Sequence, residues 1–139
     1  VSAVVARQEL LGVFQSGEHG STFGGNPLAC AVGIAVVRLL RTGEFQRRAA
    51  RLGLHLDLRL RELEGRGLIA TRVRGLWAGI DIDPALATGR QVVEGLAHRG
   101  VLAKDTHGST LRLAPPLVID EAELDWALDQ LAAVLVDLA

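Results

Sequence analysis

The chain has 139 residues, a formal net charge of -1 and a single cysteine, and 49% of its residues are hydrophobic. This length and apolar content predict a folded domain with a core of its own and exclude a disordered chain. The near-neutral charge gives no support for binding to nucleic acid or to an anionic membrane. One cysteine excludes an internal disulfide framework and suits a reducing compartment, so a cytoplasmic location is expected.

The N-terminal part of the sequence predicts a strand end, a loop and one apolar helix. The β-branched stretch VSAVVA at 1–6 is typical of the end of a strand, and RQELLGVF after it predicts a short helix or turn. QSGEHGSTFGG at 15–25 is rich in glycine and hydroxyl residues and predicts a loop. Asn26 and Pro27 then favour a helix start. The helix is predicted to reach about Leu40 and, being apolar on nearly all sides, to be buried.

The rest of the sequence predicts helices that alternate with short strands. A helix is expected at about 44–64, two strands at 68–83, a helix at about 86–99, strands at VLAK and TLRLA, and a last helix after Asp120. Leucines at helical spacing mark the core sides of the first and last of these helices: Leu52, Leu56, Leu60 and Leu63, widened by Leu54 and Leu58, and Leu124, Leu128, Leu131 and Leu135. This order predicts an α+β or two-layer α/β arrangement.

The tetrapeptide HGST occurs at 19–22 and again at 107–110. The residues around the two copies share no pattern, so a duplication is not supported. The first copy places Ser21 and Thr22 just before a helix N-terminus, where backbone N–H groups and hydroxyls can bind a phosphate. A plain glycine-rich turn capped by Asn26 is the simpler interpretation, and composition alone favours it.

The second HGST is followed by Arg112, which lies in the apolar stretch TLRLAPPLVI. An arginine among apolar neighbours is costly unless its charge is paired. It could be a salt-bridged or partly exposed arginine at a strand end. It could also bind a substrate carboxylate with both arms of its planar guanidinium.

GEHGSTFGGNPLACAVGIAVV resembles the class III aminotransferases, which use pyridoxal 5'-phosphate (PLP). The resemblance implies that Thr22, with Ser21 beside it, binds the cofactor phosphate of a neighbouring subunit, so that the site lies across a dimer interface. GVLAKDTHGSTLRLAPPLVIDEAEL at 100–124 is similar to the C-terminal signature of ornithine aminotransferases, which implies that Arg112 binds the carboxylate of the amino acid or oxo acid substrate. One departure from the family pattern is Ser109, where an acidic residue or Asn is frequent. Another is Val73, where relatives usually carry Gly and a β-branched residue would be strained if the position needs a positive φ.

The same resemblance implies a fold and a division of the chain. The fold would be α/β, the C-terminal part of a fold-type I PLP-dependent transferase, with helices packed on a small, mainly antiparallel sheet. Residues 1–42 would form the end of the large PLP-binding domain with the phosphate loop. Residues 43–139 would form the C-terminal small domain.

A PLP transaminase also needs a lysine for the Schiff base, and the resemblance implies that this lysine precedes VSAVV. Lys104 matches a different lysine of the relatives and is expected to face solvent at a strand end. The sequence therefore predicts no catalytic residue and no metal site, and a C-terminal fragment or split-gene half that is inactive alone and needs an upstream polypeptide. The alternatives are a non-catalytic dimerisation domain from a degenerate aminotransferase, or another class III enzyme such as an acetylornithine aminotransferase.

Overall fold

The computed structural model describes residues 2–139, which separate into one unit ending at Gly43 and a second spanning Glu44–Ala139. The first unit holds a single-turn helix, α1 (Gln8–Leu11), and a longer helix, α2 (Pro27–Leu40). The Asn26 side chain accepts a hydrogen bond from the backbone N–H of Ala29 at 2.9 Å, and Pro27 is the first helical residue. The predicted helix start is therefore confirmed.

Two predictions for the first unit are wrong. Residues 2–6 form no strand, and Val1 lies outside the described residues. No residue of α2 is buried, although the helix was expected to lie in a core. Its exposed large apolar side chains are Leu28, Val32, Ile34, Val36, Val37 and Leu39. An apolar pattern indicates what a helix can bury, but burial also needs a facing surface, and residues 2–43 provide none for α2.

The second unit contains three helices and four strands in the predicted order. They are α3 (Glu44–Arg61), β1 (Leu68–Arg74), β2 (Trp77–Ile82), α4 (Gly89–His98), β3 (Lys104–Thr106), β4 (Thr110–Leu113) and α5 (Glu121–Asp137). The strands form one antiparallel sheet in the order β1-β2-β4-β3. The predicted strand at VLAK is displaced, because the residues that pair with β4 are Lys104–Thr106.

The core of the second unit lies between the three helices and one face of the sheet. Leu52, Leu56 and Leu60 of α3 are fully buried, whereas Leu63 is only partly buried. The predicted α5 stripe of Leu124, Leu128, Leu131 and Leu135 is confirmed as buried. Leu54 and Leu58 are 71% and 63% exposed, so the expectation that they widen the α3 stripe is wrong.

The other face of the sheet carries no helix of the second unit and faces solvent. Alternate residues of each strand point to it, because successive side chains of a strand lie on opposite faces. We call it the outer sheet face; its polar and aromatic residues are Arg72, Arg74, Trp77, Asp81, Lys104, Thr106, Thr110 and Arg112. Within residues 2–139, no helix is both long and apolar enough to cross a lipid bilayer.

Candidate functional site

The first HGST copy lies in a hydrogen-bonded turn that leads into α2. The Ser21 hydroxyl oxygen accepts a hydrogen bond from the backbone N–H of Gly24 at 2.8 Å, and the Asn26 side chain donates to the Phe23 carbonyl at 2.6 Å. A Cβ atom on Gly24 would lie 2.8 Å from the Ser21 oxygen, which is too close for any side chain. A side chain at position 24 would therefore displace Ser21 and its hydrogen bond to the Gly24 N–H.

The two hydroxyls predicted to bind a phosphate are both exposed in this turn. The Thr22 hydroxyl makes no hydrogen bond to any residue that the structure describes, so it can donate to a ligand. Ser21 uses its oxygen as an acceptor, and its hydroxyl proton stays available. Both groups precede the N-terminus of a 14-residue helix, whose dipole favours an anion. The turn is therefore chemically suited to a phosphate group, and the roles of Ser21 and Thr22 stay predictions.

The second HGST copy has a different backbone conformation and forms the turn between β3 and β4. His107 and Gly108 have φ angles of +50° and +80°, whereas Gly20 of the first copy does not have a positive φ. The Ser109 N–H donates to the His107 carbonyl at 3.0 Å. The four shared residue types thus build two unrelated turns.

Arg112 lies on β4 at the centre of the outer sheet face. It pairs with Gly79 of β2 on one side and with Lys104 of β3 on the other. A pocket of about 340 Å³ opens above it. Its lining includes Arg72, Arg74, Trp77, Thr106, Thr110 and Arg112.

Most cations next to Arg112 already have a carboxylate partner. Arg72 donates two hydrogen bonds of 2.7 Å to the two oxygens of Asp81, and Thr110 donates a third of 2.7 Å. The hydrogen bonds from Arg72 and then from Thr110 lower the pKa of Asp81 from 3.8 to about 2. Lys104 is bonded to the adjacent Asp105 at 2.8 Å, in the exposed strand-end position predicted for it.

The Arg112 guanidinium, in contrast, has no hydrogen bond and no ion pair to any residue among 2–139, and Arg74 shares this property. Of the two forms of the strand-end alternative, the salt-bridged arginine is therefore not what the structure shows, whereas an exposed arginine agrees with it. Because Arg112 is exposed and lines the pocket, its charge is available to an anion from outside the chain. Its role in binding substrate stays a prediction.

Arg72, Asp81 and Thr110 lie around Arg112, although no motif in the sequence indicates them as its neighbours. Strand alternation could have indicated this, since Asp81 pairs with Thr110 across β2 and β4. The expected strain at Val73 is absent. Val73 lies in β1 opposite Ala78, and the positive φ of this hairpin, +55°, belongs to Gly75.

Comparison with known proteins shows which family the chain belongs to. Residues 1–135 match the family model described as aminotransferase class-III. The chain belongs to the class III aminotransferase family. This family depends on PLP, which confirms the predicted cofactor. Its solved members are fold-type I transferases, which confirms the predicted α/β fold class.

Several relatives of this class III aminotransferase chain are named ornithine aminotransferase. The one from Bordetella pertussis is 48% identical over 139 residues, which cover 100% of the chain and 34% of that protein. The solved ornithine aminotransferase from Toxoplasma gondii, in which PLP partially occupies the active site, superimposes with a TM-score of 0.78 at 36% identity; the match covers 94% of this chain and 32% of that one.

A solved acetylornithine aminotransferase is about as similar. The enzyme from Elizabethkingia anophelis gives a TM-score of 0.79 at 34% identity, with 96% of this chain and 36% of the other covered. The chain spans about a third of the length of the curated relatives it matches. Its similarity therefore concerns one part of a transaminase.

Proposed function

We propose that this chain is the C-terminal part of an ornithine aminotransferase. The assembled enzyme moves the δ-amino group of L-ornithine to a 2-oxo acid such as 2-oxoglutarate, giving glutamate 5-semialdehyde and an amino acid. The observation that carries the choice of substrate is the 48% identity, over every residue of the chain, to a relative named ornithine aminotransferase. The chain is inactive alone in this proposal, because the Schiff-base lysine comes from the two thirds of the relatives' length that it does not match.

Arg112 binds the carboxylate of the amino acid or oxo acid. Arg74 also has an unpaired guanidinium, but it lies at the hairpin end of β1, whereas Arg112 lies at the centre of the outer sheet face between β2 and β3. Its planar fork can donate two parallel hydrogen bonds, which fixes the orientation of the substrate as well as its position. Arg112 in this way helps to place the amino or oxo carbon relative to the cofactor.

Thr22, with Ser21 beside it, holds the cofactor phosphate. PLP, when bound, supplies the electron sink that makes amino-group transfer possible. The turn at 21–26 is closed by its own hydrogen bonds, so that the free Thr22 hydroxyl is presented at the helix start. Following the family resemblance, the phosphate belongs to the cofactor of the neighbouring subunit, so the site is completed in a dimer.

The exposed apolar side of α2 supports an assembly with further polypeptide. Within the first unit, α2 lines an apolar groove of about 770 Å³ together with Ser2 and Ala3. A contiguous exposed apolar surface of this kind usually marks an interaction site, since such surfaces are rare on monomeric proteins. We propose that a second subunit and the upstream polypeptide that carries the lysine cover it, in the cytoplasm.

An acetylornithine aminotransferase is the alternative, which the Elizabethkingia anophelis structure supports. The two substrates differ at the α-amino group, which is free in ornithine and acetylated in N-acetylornithine. The two enzymes therefore differ in which amino donor they accept, and a direct comparison of the donors separates them.

The proposal is tested by assembling the chain with the N-terminal two thirds of the Bordetella pertussis relative, purifying the complex with PLP, and measuring the consumption of 2-oxoglutarate. We expect retention of PLP and turnover with L-ornithine as the donor. Turnover with N-acetylornithine alone would favour the alternative. A complex that retains no PLP would contradict the proposal, and a chain that stays monomeric without binding the N-terminal part would favour a non-catalytic domain.

Removing the Thr22 hydroxyl is expected to weaken cofactor binding. In Thr22→Val the shape of the side chain is retained while the hydrogen bond to a charged phosphate is lost, which is worth about 1.5–3 kcal/mol, or roughly 10- to 150-fold in Kd. The measurement is a PLP titration of the assembled complex. Thr22→Ser keeps the hydroxyl and serves as the control that should bind PLP nearly normally. Equal PLP affinity in both variants would argue against Thr22 as a phosphate ligand.

Charges placed on the apolar side of α2 are expected to prevent assembly. Val32 and Val36 are one helical turn apart, 52% and 46% exposed, and both line the groove. The double variant Val32→Asp, Val36→Asp should remain folded and lose binding to the N-terminal part in light-scattering experiments, because two charges would have to be desolvated at the interface. The matched control is Leu54→Asp, Leu58→Asp on α3, with the same spacing. An equal loss in both pairs would contradict a specific role for α2.

A further inference from the structure

We infer that Arg72 is a positioning residue for Arg112: by occupying the Asp81 carboxylate, Arg72 keeps Asp81 from pairing with Arg112 and leaves Arg112 free to bind substrate. This inference rests on the proposed role of Arg112. In this inference Arg72 acts on substrate binding through its ion pair with Asp81.

The sheet register brings Asp81 and Arg112 within reach of each other. On β2 and β4, Asp81 pairs with Thr110 and Gly79 pairs with Arg112, so Asp81 and Arg112 are diagonal neighbours on the same face. Diagonal neighbours in an antiparallel pair lie roughly 7–8 Å apart, a distance that a long side chain can span. Asp81 is therefore a potential internal competitor for the anion site of Arg112.

Arg72 removes this competitor by binding both carboxylate oxygens of Asp81. Its two terminal nitrogens donate to the two oxygens at 2.7 Å each, in the two-armed arrangement that orients a carboxylate as well as binding it. Thr110 donates to one of the same oxygens at 2.7 Å. Both Asp81 oxygens thus already accept hydrogen bonds, one from Arg72 alone and the other from Arg72 of β1 and Thr110 of β4.

The absence of a side chain at Gly79 leaves the space in which the Arg72 side chain reaches Asp81. Arg72 pairs with Gly79 across β1 and β2, and a Cβ atom on Gly79 would lie 3.5 Å from one terminal nitrogen of Arg72. The guanidinium thus lies over the backbone of Gly79, and Gly79 is in turn the direct pairing partner of Arg112. A large side chain at position 79 would occupy this space and lie between Arg72 and Arg112.

The cations of the outer sheet face differ in whether they could replace Arg72 as the partner of Asp81. Lys104 is engaged by Asp105 on its own strand, so it offers Asp81 no free charge. Arg74 lies at the hairpin end of β1 opposite Trp77, four residues along β2 from Asp81, whereas Arg112 lies opposite Gly79, only two residues from Asp81. If Arg72 is removed, Arg112 on the strand next to Asp81 is the free cation that can replace it.

The first test measures the Asp81 pKa by NMR in the chain itself, so it does not depend on catalysis. In the presence of Arg72, the change Arg112→Gln should leave the Asp81 pKa nearly unchanged. In Arg72→Gln, the Asp81 pKa should rise from about 2, and it should rise further in the double variant Arg72→Gln, Arg112→Gln. If Arg112 affects the Asp81 pKa only when Arg72 is absent, an Arg112–Asp81 ion pair has replaced the Arg72–Asp81 pair. An Asp81 pKa that is the same in Arg72→Gln and in the double variant would overturn the inference.

The second test measures binding of glutarate, a five-carbon dicarboxylate, to the same variants. Arg72→Gln should weaken glutarate binding roughly two- to fivefold, the effect of competition by an exposed ion pair, and Asp81→Asn added to it should restore the affinity. Arg74→Gln is the matched control, because it removes an equal charge from the same pocket and no ion pair. A loss as large in Arg74→Gln as in Arg72→Gln, or no restoration by Asp81→Asn, would overturn the inference. Unchanged glutarate binding in Arg112→Gln would instead contradict the proposed role of Arg112.

Discussion

Arg112→Gln is expected to abolish most of the transaminase activity of the assembled enzyme while leaving the fold unchanged. Truncating one partner of a hydrogen-bonded charge pair costs about 2–5 kcal/mol, which corresponds to a loss of roughly 30-fold to a few thousandfold in kcat/KM. The loss should appear for both the amino acid and the oxo acid, because both carry the carboxylate that Arg112 is proposed to bind. The measurement is steady-state kinetics with the concentration of each substrate varied in turn.

Two comparisons make this result specific to the guanidinium. Arg112→Lys keeps the charge and loses the two-armed geometry, so it should recover only part of the activity. Arg74→Gln removes another unpaired guanidinium from the same pocket and should have a much smaller effect. The denaturation midpoint of Arg112→Gln should equal that of the parent chain, because Arg112 is exposed and has no partner among residues 2–139 to lose. Activity equal to that of the parent enzyme would rule out Arg112 as the carboxylate ligand.

The elements that could be predicted from the sequence are those fixed by short-range chemistry. The starts of α2 and α5 follow from Asn26 and Asp120, whose side chains bond to backbone N–H groups three residues later. The start of α4 was placed too early, at about residue 86, although the signal was present. Thr88 and Gln91 form a capping box that fixes the first helical residue as Gly89.

The errors concern features that depend on residues distant in the sequence. VLAK was predicted as a strand because it is apolar, but pairing with β4 selects Lys104–Thr106, and Val101 is buried in the core outside any strand. The burial predicted for α2 failed because residues 2–43 contain no surface to cover it. The sequence indicated Arg112 but not its neighbours, because these come from other strands of the sheet. Arg72 and Asp81 are nine residues apart, and only the register of β1 and β2 brings them together.

Gly53→Ala is expected to destabilise the second unit, although alanine is the better helix former. Gly53 is buried in the middle of α3, where the helix passes the hairpin turn between β1 and β2. A Cβ atom at this position would lie 2.6 Å from the Gly75 carbonyl oxygen and 2.7 Å from the Gly75 Cα. These are backbone atoms of a two-residue turn whose ends, Arg74 and Trp77, are paired with each other. The turn cannot move away without breaking that pairing or shifting the helix.

The sign of the effect follows from comparing two magnitudes. Replacing glycine by alanine inside a helix contributes about 1 kcal/mol of stability through helix propensity. Overpacking of a tight core costs about 1–3 kcal/mol, and a fixed backbone obstacle places the cost at the upper end, so the clash outweighs the propensity and the net result is a loss of about 2 kcal/mol. Both tryptophans, Trp77 and Trp126, lie in the second unit, so urea unfolding followed by tryptophan fluorescence measures this loss.

Gly95→Ala is the matched comparison, because Gly95 also lies inside a helix at a close contact. Its Cβ would lie 2.8 Å from a methyl carbon of Val134 on α5, and a side-chain methyl can be displaced by a small helix adjustment more easily than a paired turn. The loss in Gly95→Ala should therefore be smaller than in Gly53→Ala. If Gly53→Ala were as stable as the parent chain, the close approach of α3 to the hairpin would not be what requires glycine at position 53. Strand pairing alone would then hold β1 and β2 in the register that forms the outer sheet face.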